Sequence, residues 1–279
     1  MLSAVYGLLA ALSWGGGDFA GGLVSRRTGP WRTVLYGEAI GLAILFVLIY
    51  FNPEPLPDAP SWFYAAVAGG LGTMGLLFLY AAMTQGKMSI AAPVSALLAA
   101  ALPVFVGFFT EGLVDLLTFM GFAAALGAVW FVSQGDGEAK SIFAQIADLR
   151  LPLLAGLGFG AYFVMMHQAT QNATYWPIIA GRAAGFAVIL FFTLVRREGF
   201  AVQRDTWPIL GINGALDVGG SYFYVLAGQT GRMDVAAVLA SLFPAATVLL
   251  ARFILGERLS RRQALGVTLA LLAIVLLTI

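Results

Sequence analysis

Five ionisable residues stand inside long apolar stretches of this 279-residue chain: Asp18, Glu38, His167, Arg182 and Asp217. A charge in such a setting is costly to bury and marks a place where a proton, an ion or a polar ligand is handled. Asp217 is the deepest, about 15 Å from either end of its stretch at 1.5 Å per helical residue. Asn213 and Ser221 stand four residues before and after it and share its helical face. A carboxyl there can exchange a proton or hold a ligand, or be satisfied by neighbouring hydroxyls or by Arg182. Asp18 lies nearer one end of its stretch, placed to line a cavity mouth or to pair with Arg26. Asp217 and Asp18 are therefore the candidates for proton coupling. Arg182 reads as the charge partner of a buried carboxylate that spacing does not identify. Glu38, close to the start of its stretch, reads as a group that reaches the interface. His167 reads as an ordinary hydrogen-bonded histidine.

The elements that carry these groups are membrane helices. The chain is 60% hydrophobic and 10% charged, with mean hydropathy +0.90, whereas soluble domains carry about 25% charged residues. A bilayer core needs roughly 20 apolar residues per helix. On that ruler there are ten spans, near 2–23, 33–51, 61–83, 89–110, 114–133, 151–169, 175–195, 207–228, 234–255 and 260–279. The fold class is an all-α polytopic membrane protein. The first span lacks a basic leader and is long enough to cross, so it is expected to be retained. Turn chemistry separates the spans, as in NPEPLPDAP at 52–60. Ser61, Ser89, Thr206 and Asp234 stand where N-caps belong, and Ser260 with Gln263 has capping-box spacing. Arg and Lys residues concentrate in one set of connectors. The positive-inside rule makes that set cytoplasmic and puts both termini outside, in a bacterial inner membrane.

Residues 13–22, SWGGGDFAGG, lack the preceding strand and following Lys-Ser/Thr of a phosphate loop. Ser13, Gly17 and Gly21 instead form a small-residue stripe suited to close helix packing.

The chain also matches itself at a separation of 145 residues. That offset pairs Trp62 with Trp207, Gly15 with Gly160, Gly69 with Gly214, Gly75 with Gly220, and Trp14 with Phe159. Each half holds an odd number of spans, five, so the second copy enters the membrane inverted. Inverted repeats are characteristic of secondary transporters that bind substrate between the halves. The halves are residues 1–133 and 151–279, joined by a cytoplasmic linker at 134–150. Within the linker, Ile142, Phe143, Ile146 and Leu149 fall on one face of a short interfacial helix. Pro93 and Pro103 in span 4, and Pro244 in the matching span 9, are hinge or kink candidates. Cavity candidates are Trp14 and Phe159 by their pairing, then Tyr80, Ser95, Tyr224 and Ser241, with Asp18, Asn213, Asp217 and Ser221. For each single aromatic, a packing role competes with a cavity role.

Several functions are excluded. Net charge is +1, which gives no reason to expect a nucleic-acid partner. There are no cysteines and one histidine, so neither thiol chemistry nor a Cys/His metal centre is expected. No catalytic residue and no cofactor are expected. The alternatives to a carrier are a passive facilitator or channel, which usually needs an oligomeric pore or a filter sequence, and a membrane-embedded enzyme, which needs a clustered acid/base or metal set.

The run VLASLFPAATVLLARFILGERLSRRQALG at 238–266 resembles the EamA branch of the drug/metabolite transporter superfamily. So do the related run APVSALLAAALPVFVGFFTEGL at 92–113 and the Trp-Gly start WGGGDFAGGLVSRR at 14–27. The resemblance covers essentially the whole chain. It implies a transporter, commonly an exporter of amino acids or other small metabolites, with its cavity between spans 1, 3, 4 and 6, 8, 9. Proton coupling occurs in parts of the superfamily. The implied partners are a small-molecule substrate, protons and the lipid bilayer, with the protein a monomer or homodimer. Two features depart from the family: Thr-Glu-Gly-Leu at 110–113 replaces Gly-Glu-Arg-Leu, and members are often drawn with both termini inside. Glu257 and Arg258 of the second copy are expected to fix a turn.

Overall fold

Apolar stretches of this length cannot leave backbone N–H and C=O groups unpaired in a bilayer, so each must close its hydrogen bonds internally as a helix. The computed structural model describes residues 2–84, 88–133, 150–254 and 260–278. The helices are α1 Leu2–Thr28, α2 Pro30–Phe51, α3 Ala59–Thr84, α4 Met88–Thr110, α5 Leu116–Ser133, α6 Arg150–Ala169, α7 Tyr175–Val195, α8 Trp207–Gln229, α9 Met233–Ala240, α10 Phe243–Ile254 and α11 Arg261–Thr278. Every expected span is thus helical, and the ninth is split into α9 and α10. Among the described residues, α2, α3, α6 and α7 are each long and apolar enough to cross a membrane alone. α1 and α8 are as long but carry the glycines and carboxyls that face inward. The outer surface is apolar, with Phe51, Phe105, Phe109 and Phe191 more than half exposed. That is the surface a bilayer solvates.

The split in the ninth span falls at Ser241–Leu242, just before Pro244 rather than at it. A proline ring clashes with the carbonyl four residues earlier and offers no N–H, so the preceding turn tightens. The amides of Leu242 and Ala245 accordingly donate to Leu239 and Leu242, three residues back. Pro244 then sits in the first turn of α10, where a missing N–H costs little. Pro103 is buried in α4, which runs on unbroken. Pro93 also lies within α4, but its side chain is outside the described residues. The matching prolines therefore do not produce matching breaks.

Helix ends follow local chemistry, with corrections. Ser260 and Gln263 form the reciprocal capping box, at 2.9 and 3.1 Å. Asp58, not Ser61, caps α3, its carboxylate accepting from the Ser61 amide at 3.2 Å. Thr206 precedes α8 without a side-chain cap, its hydroxyl being turned to the Gln203 carbonyl. Asp234 lies inside α9, with Arg232 at the cap position. The Met233 amide is instead taken by Glu111, from the α4–α5 connector, at 3.1 Å. Burial, and the nearby Asp234 charge, push the Glu111 carboxyl above its usual range. The side chain of Ser89, the linker at 134–149 with its apolar face, and Glu257 and Arg258 lie outside the described residues.

The packing pattern repeats with the sequence. α1 lies along α8 as α6 lies along α3, and α5, the last helix of the first half, pairs with α11, the last of the second. These are the contacts that an exchange of the two halves preserves. The offset glycines explain how. A Cβ on Gly75 would stand 3.1 Å from the Phe159 ring, and one on Gly220 would overlap the Trp14 indole. Each paired glycine thus makes room for the paired aromatic of the other half. The small-residue stripe of α1 also packs closely. Gly17 faces the α8 backbone at Asp217, and Gly21 faces Tyr80 and Asn213.

One polar tie between the halves sits at a bundle end. Glu54, in the α2–α3 connector, accepts the Thr174 and Trp176 amides at 2.9 and 2.7 Å. It is an anionic cap on α7, placed where the helix dipole favours negative charge. Glu54→Ala leaves those amides without their carboxylate and is expected to cost about 1–2 kcal/mol. A lowered unfolding midpoint of the purified protein checks it, with Glu54→Asp as the conservative control.

Candidate functional site

The close crossings of α1 with α8 and α3 with α6 leave a cavity between the halves, about 660 Å³ of empty space with its open mouth included. Its lining comes from α1, α2, α3, α6, α7, α8 and α10. Spans 1, 3, 6 and 8 were expected. Spans 2 and 7 were not, and they bring the central ion pairs. Among the described residues, none of α4 reaches the wall, and span 9 reaches it only through Phe243, just past the break.

Arg182 of α7 is the hub. Its Nη1 lies 2.5 Å from Asp217 Oδ2 and 3.1 Å from Glu38 Oε2. Its Nη2 donates to Ser221 Oγ at 3.2 Å. Ser221 in turn donates to the Asp217 carbonyl at 3.1 Å, and Thr73 donates to Glu38 Oε1 at 2.6 Å. Arg182 and Glu38 side chains are 7% and 6% exposed, Asp217 18%. Glu38 therefore does not reach the interface, because α2 turns that face onto α7 and α8. Arg182 has two carboxylate partners, one from each half. Such a buried pair holds only while its remaining donors and acceptors are satisfied, and Thr73 and Ser221 supply those bonds.

Asp18 lines the same cavity and is 7% exposed. Among the described residues no ion pair holds it. The Tyr80 hydroxyl lies beside its carboxyl, and Asp217 is the charge that acts on it. Arg26 is exposed at the helix end rather than turned toward it. Among the described residues, the cavity thus carries three carboxyls against one guanidinium. Around them stand Trp14, Phe159, Tyr162, Phe163 and Phe243. Trp14 packs against Phe163 at 5.5 Å between ring centres, and Phe159 meets Phe243 edge-on at 6.5 Å. The Tyr162 hydroxyl is buried with no hydrogen-bond partner among the described residues.

Of the residues expected in the cavity, Trp14, Asp18, Phe159, Asp217 and Ser221 line it. The others stand behind its wall. Asn213 donates to the Gly17 carbonyl and the Tyr80 hydroxyl, both at 2.9 Å, and ties α1, α3 and α8 together. Tyr224 donates to the Phe163 carbonyl at 2.7 Å and backs Trp14 and Phe163. Ser95 and Ser241 return their hydroxyls to carbonyls of their own helices, at 2.8 and 2.7 Å. A buried hydroxyl with a free local carbonyl needs no cavity. His167 lies away from the site and meets Gln171 at 3.2 Å.

Glu38, Thr73, Tyr162 and Phe163 escaped the sequence reading of the cavity. A signal for one of them was present. The 145-residue offset carries Asp18 to Phe163, Asp217 to Gly72 and Ser221 to Leu76, and all six positions line the cavity. The backbone symmetry is kept while the chemistry is not, since each polar wall residue faces an apolar or glycine counterpart. Among the described residues no three His, Cys, Asp or Glu side chains converge to hold an ion.

The site sits on a known architecture. A crystal structure described only as "Crystal structure of protein" superposes with TM-score 0.80 at 17% identity, covering 99% of this chain and 96% of that one. At that identity the likeness concerns the fold alone. No curated protein matches the sequence. The model of the EamA-like transporter family matches residues 1–134 and again 149–279, nearly the whole chain in two copies. The chain therefore belongs to the EamA-like transporter family, and it is an integral membrane protein that carries small molecules rather than an enzyme.

Proposed function

We propose that this protein is a secondary active exporter of small polar or amphipathic metabolites, amino acids or related compounds, working by alternating access. The observation that carries the reading is the cavity between the two halves, with Trp14 and Phe159 at matching positions in its walls. The halves, residues 1–133 and 151–279, rock about that site, with the 134–150 linker in the cytoplasm and both termini outside in a bacterial inner membrane. Substrate and proton use the same charged cluster. Arg182 holds Glu38 from one half and Asp217 from the other. Protonation of Asp217 frees Arg182 from its tie within the second half and leaves Glu38, across the halves, as its carboxylate partner, which couples proton entry to the contact between the halves.

The test is exchange in proteoliposomes loaded with a mixture of radiolabelled amino acids and amines. Saturable exchange that an imposed pH gradient accelerates supports the carrier. Asp217→Asn is expected to abolish the acceleration by the gradient while leaving exchange at symmetric pH. Flux that does not saturate and shows no exchange favours a passive facilitator and removes the proposal.

A further inference from the structure

Among the charged groups of the cavity, Asp18 is the one that the ion-pair network does not serve. Glu38 and Asp217 share Arg182, and among the described residues no other basic side chain lines the cavity. A carboxylate this buried and unpaired is costly and calls for a proton or a cation. Trp14 stands four residues before Asp18 on α1, so the indole and the carboxyl share one face. Phe159, Phe163 and Phe243 complete the apolar wall. Aromatic faces attract cations through their ring quadrupole, most strongly when water is excluded.

The geometry points to an organic ammonium without a free carboxylate as the substrate, its charged head on Asp18 and its apolar body against Trp14, Phe159 and Phe243. This inference rests on the transport reading above and narrows its substrate class. The other charge types fit poorly. A ligand carboxylate needs a free cation, but Arg182 is already held by Glu38, Asp217 and Ser221. It would also enter beside three protein carboxyls. A neutral solute leaves Asp18 as it was. A bare metal ion finds no converging set of three ligands among the described residues, and mostly aromatic walls. In the empty cavity a proton takes the place of the ammonium on Asp18. The groups that face this exchange are Asp217 on α8 and Tyr80 on α3, with Glu38 and Arg182 across the cavity.

The experiment is calorimetric titration of the purified full-length protein with four probes that share a phenyl ring: benzyltrimethylammonium, phenethylamine, phenylalanine and 3-phenylpropionate. The two cations are expected to bind saturably and at least about tenfold more tightly than phenylalanine, the factor that 1.4 kcal/mol supplies. Phenylpropionate is expected not to bind. Benzyltrimethylammonium carries a permanent charge, so any loss of its affinity toward acid pH reports protonation of the protein. Asp18→Asn is expected to remove that pH dependence and to weaken the cation about tenfold or more. Asp18→Glu is expected to retain both. Trp14→Leu is expected to weaken binding about 2- to 30-fold, the range of a cation–π contact.

Tighter binding of phenylalanine or phenylpropionate than of the cations overturns the inference. So does unchanged cation affinity in monodisperse Asp18→Asn protein. Counterflow of labelled phenylalanine and phenethylamine separates the two proposals. If phenylalanine exchanges and the amine does not, the substrate class falls and the carrier stands. If the cations bind but neither solute exchanges, the site stands and alternating access falls. If nothing binds or moves, both fall.

Discussion

Arg182→Leu is expected to abolish transport and to destabilise the protein by about 3–5 kcal/mol, the usual consequence of removing one partner from a buried ionic cluster. The cause is what it leaves behind. Glu38 and Asp217 lose the guanidinium that lies 3.1 and 2.5 Å from them, and both remain in the low-dielectric centre of the bundle. Thr73 still donates to Glu38, but one neutral hydroxyl does not replace a charge. The fall in unfolding midpoint in detergent measures the first effect, and exchange in proteoliposomes the second. A triple variant with Glu38→Gln and Asp217→Asn beside Arg182→Leu separates the two. It removes all three charges, so it is expected to regain most of the stability and none of the transport. A triple variant as unstable as Arg182→Leu alone would show that packing around the arginine, not charge, holds this centre. Arg182→Lys is expected to fall between, because a single ammonium cannot reach both carboxylates and Ser221 in the fork geometry of a guanidinium.

Gly69→Val is expected to separate α3 from α7 and to cost about 1–3 kcal/mol or more, as overpacking of a tight contact does. The two helices cross at Gly69 and Gly181, where a Cβ on Gly69 would fall on the backbone carbonyl of Gly181. Backbone cannot rotate away as a flexible side chain can, so a helix must move. α3 carries Thr73 and α7 carries Arg182, so the same shift pulls the Glu38 cluster apart. Stability and transport are therefore expected to fall together. Gly70→Ala is the control. Its Cβ would meet only Val188 at 3.8 Å, an ordinary contact. Alanine also favours helix over glycine by about 1 kcal/mol, so this neighbour is expected to be neutral or slightly stabilising. Equal losses at both positions would mean that flexibility of the helix, rather than closeness of the crossing, explains the glycine.

The two predictions fall on opposite sides of what could be read in advance. Gly69 was visible in the sequence, because its 145-residue pairing with Gly214 is regular and needs no coordinates. The partner it accommodates was not visible, since Gly181 belongs to a helix from the other half. Arg182 was visible as a charge out of place, and a carboxylate partner was expected. Glu38 was passed over because distance along its own helix put it near an end. That measure ignores which neighbours α2 turns toward.

Hydropathy alone determined the spans, because a bilayer leaves a long apolar segment no alternative to a helix. The repeat offset determined the inverted two-half plan and the pairing of Trp14 with Phe159. Both are local or periodic signals, carried by residues in sequence order. Tertiary structure decided which polar residues share the cavity and which merely brace it. Asn213, Asp217 and Ser221 stand on one helical face, yet Asn213 turns to Gly17 and Tyr80 while its neighbours reach Arg182. Hydrogen-bonding capacity belongs to a residue type, but its use depends on which groups from other helices arrive within reach. That is fixed by how the helices cross, within a half and between the halves, and no spacing along a single helix records it.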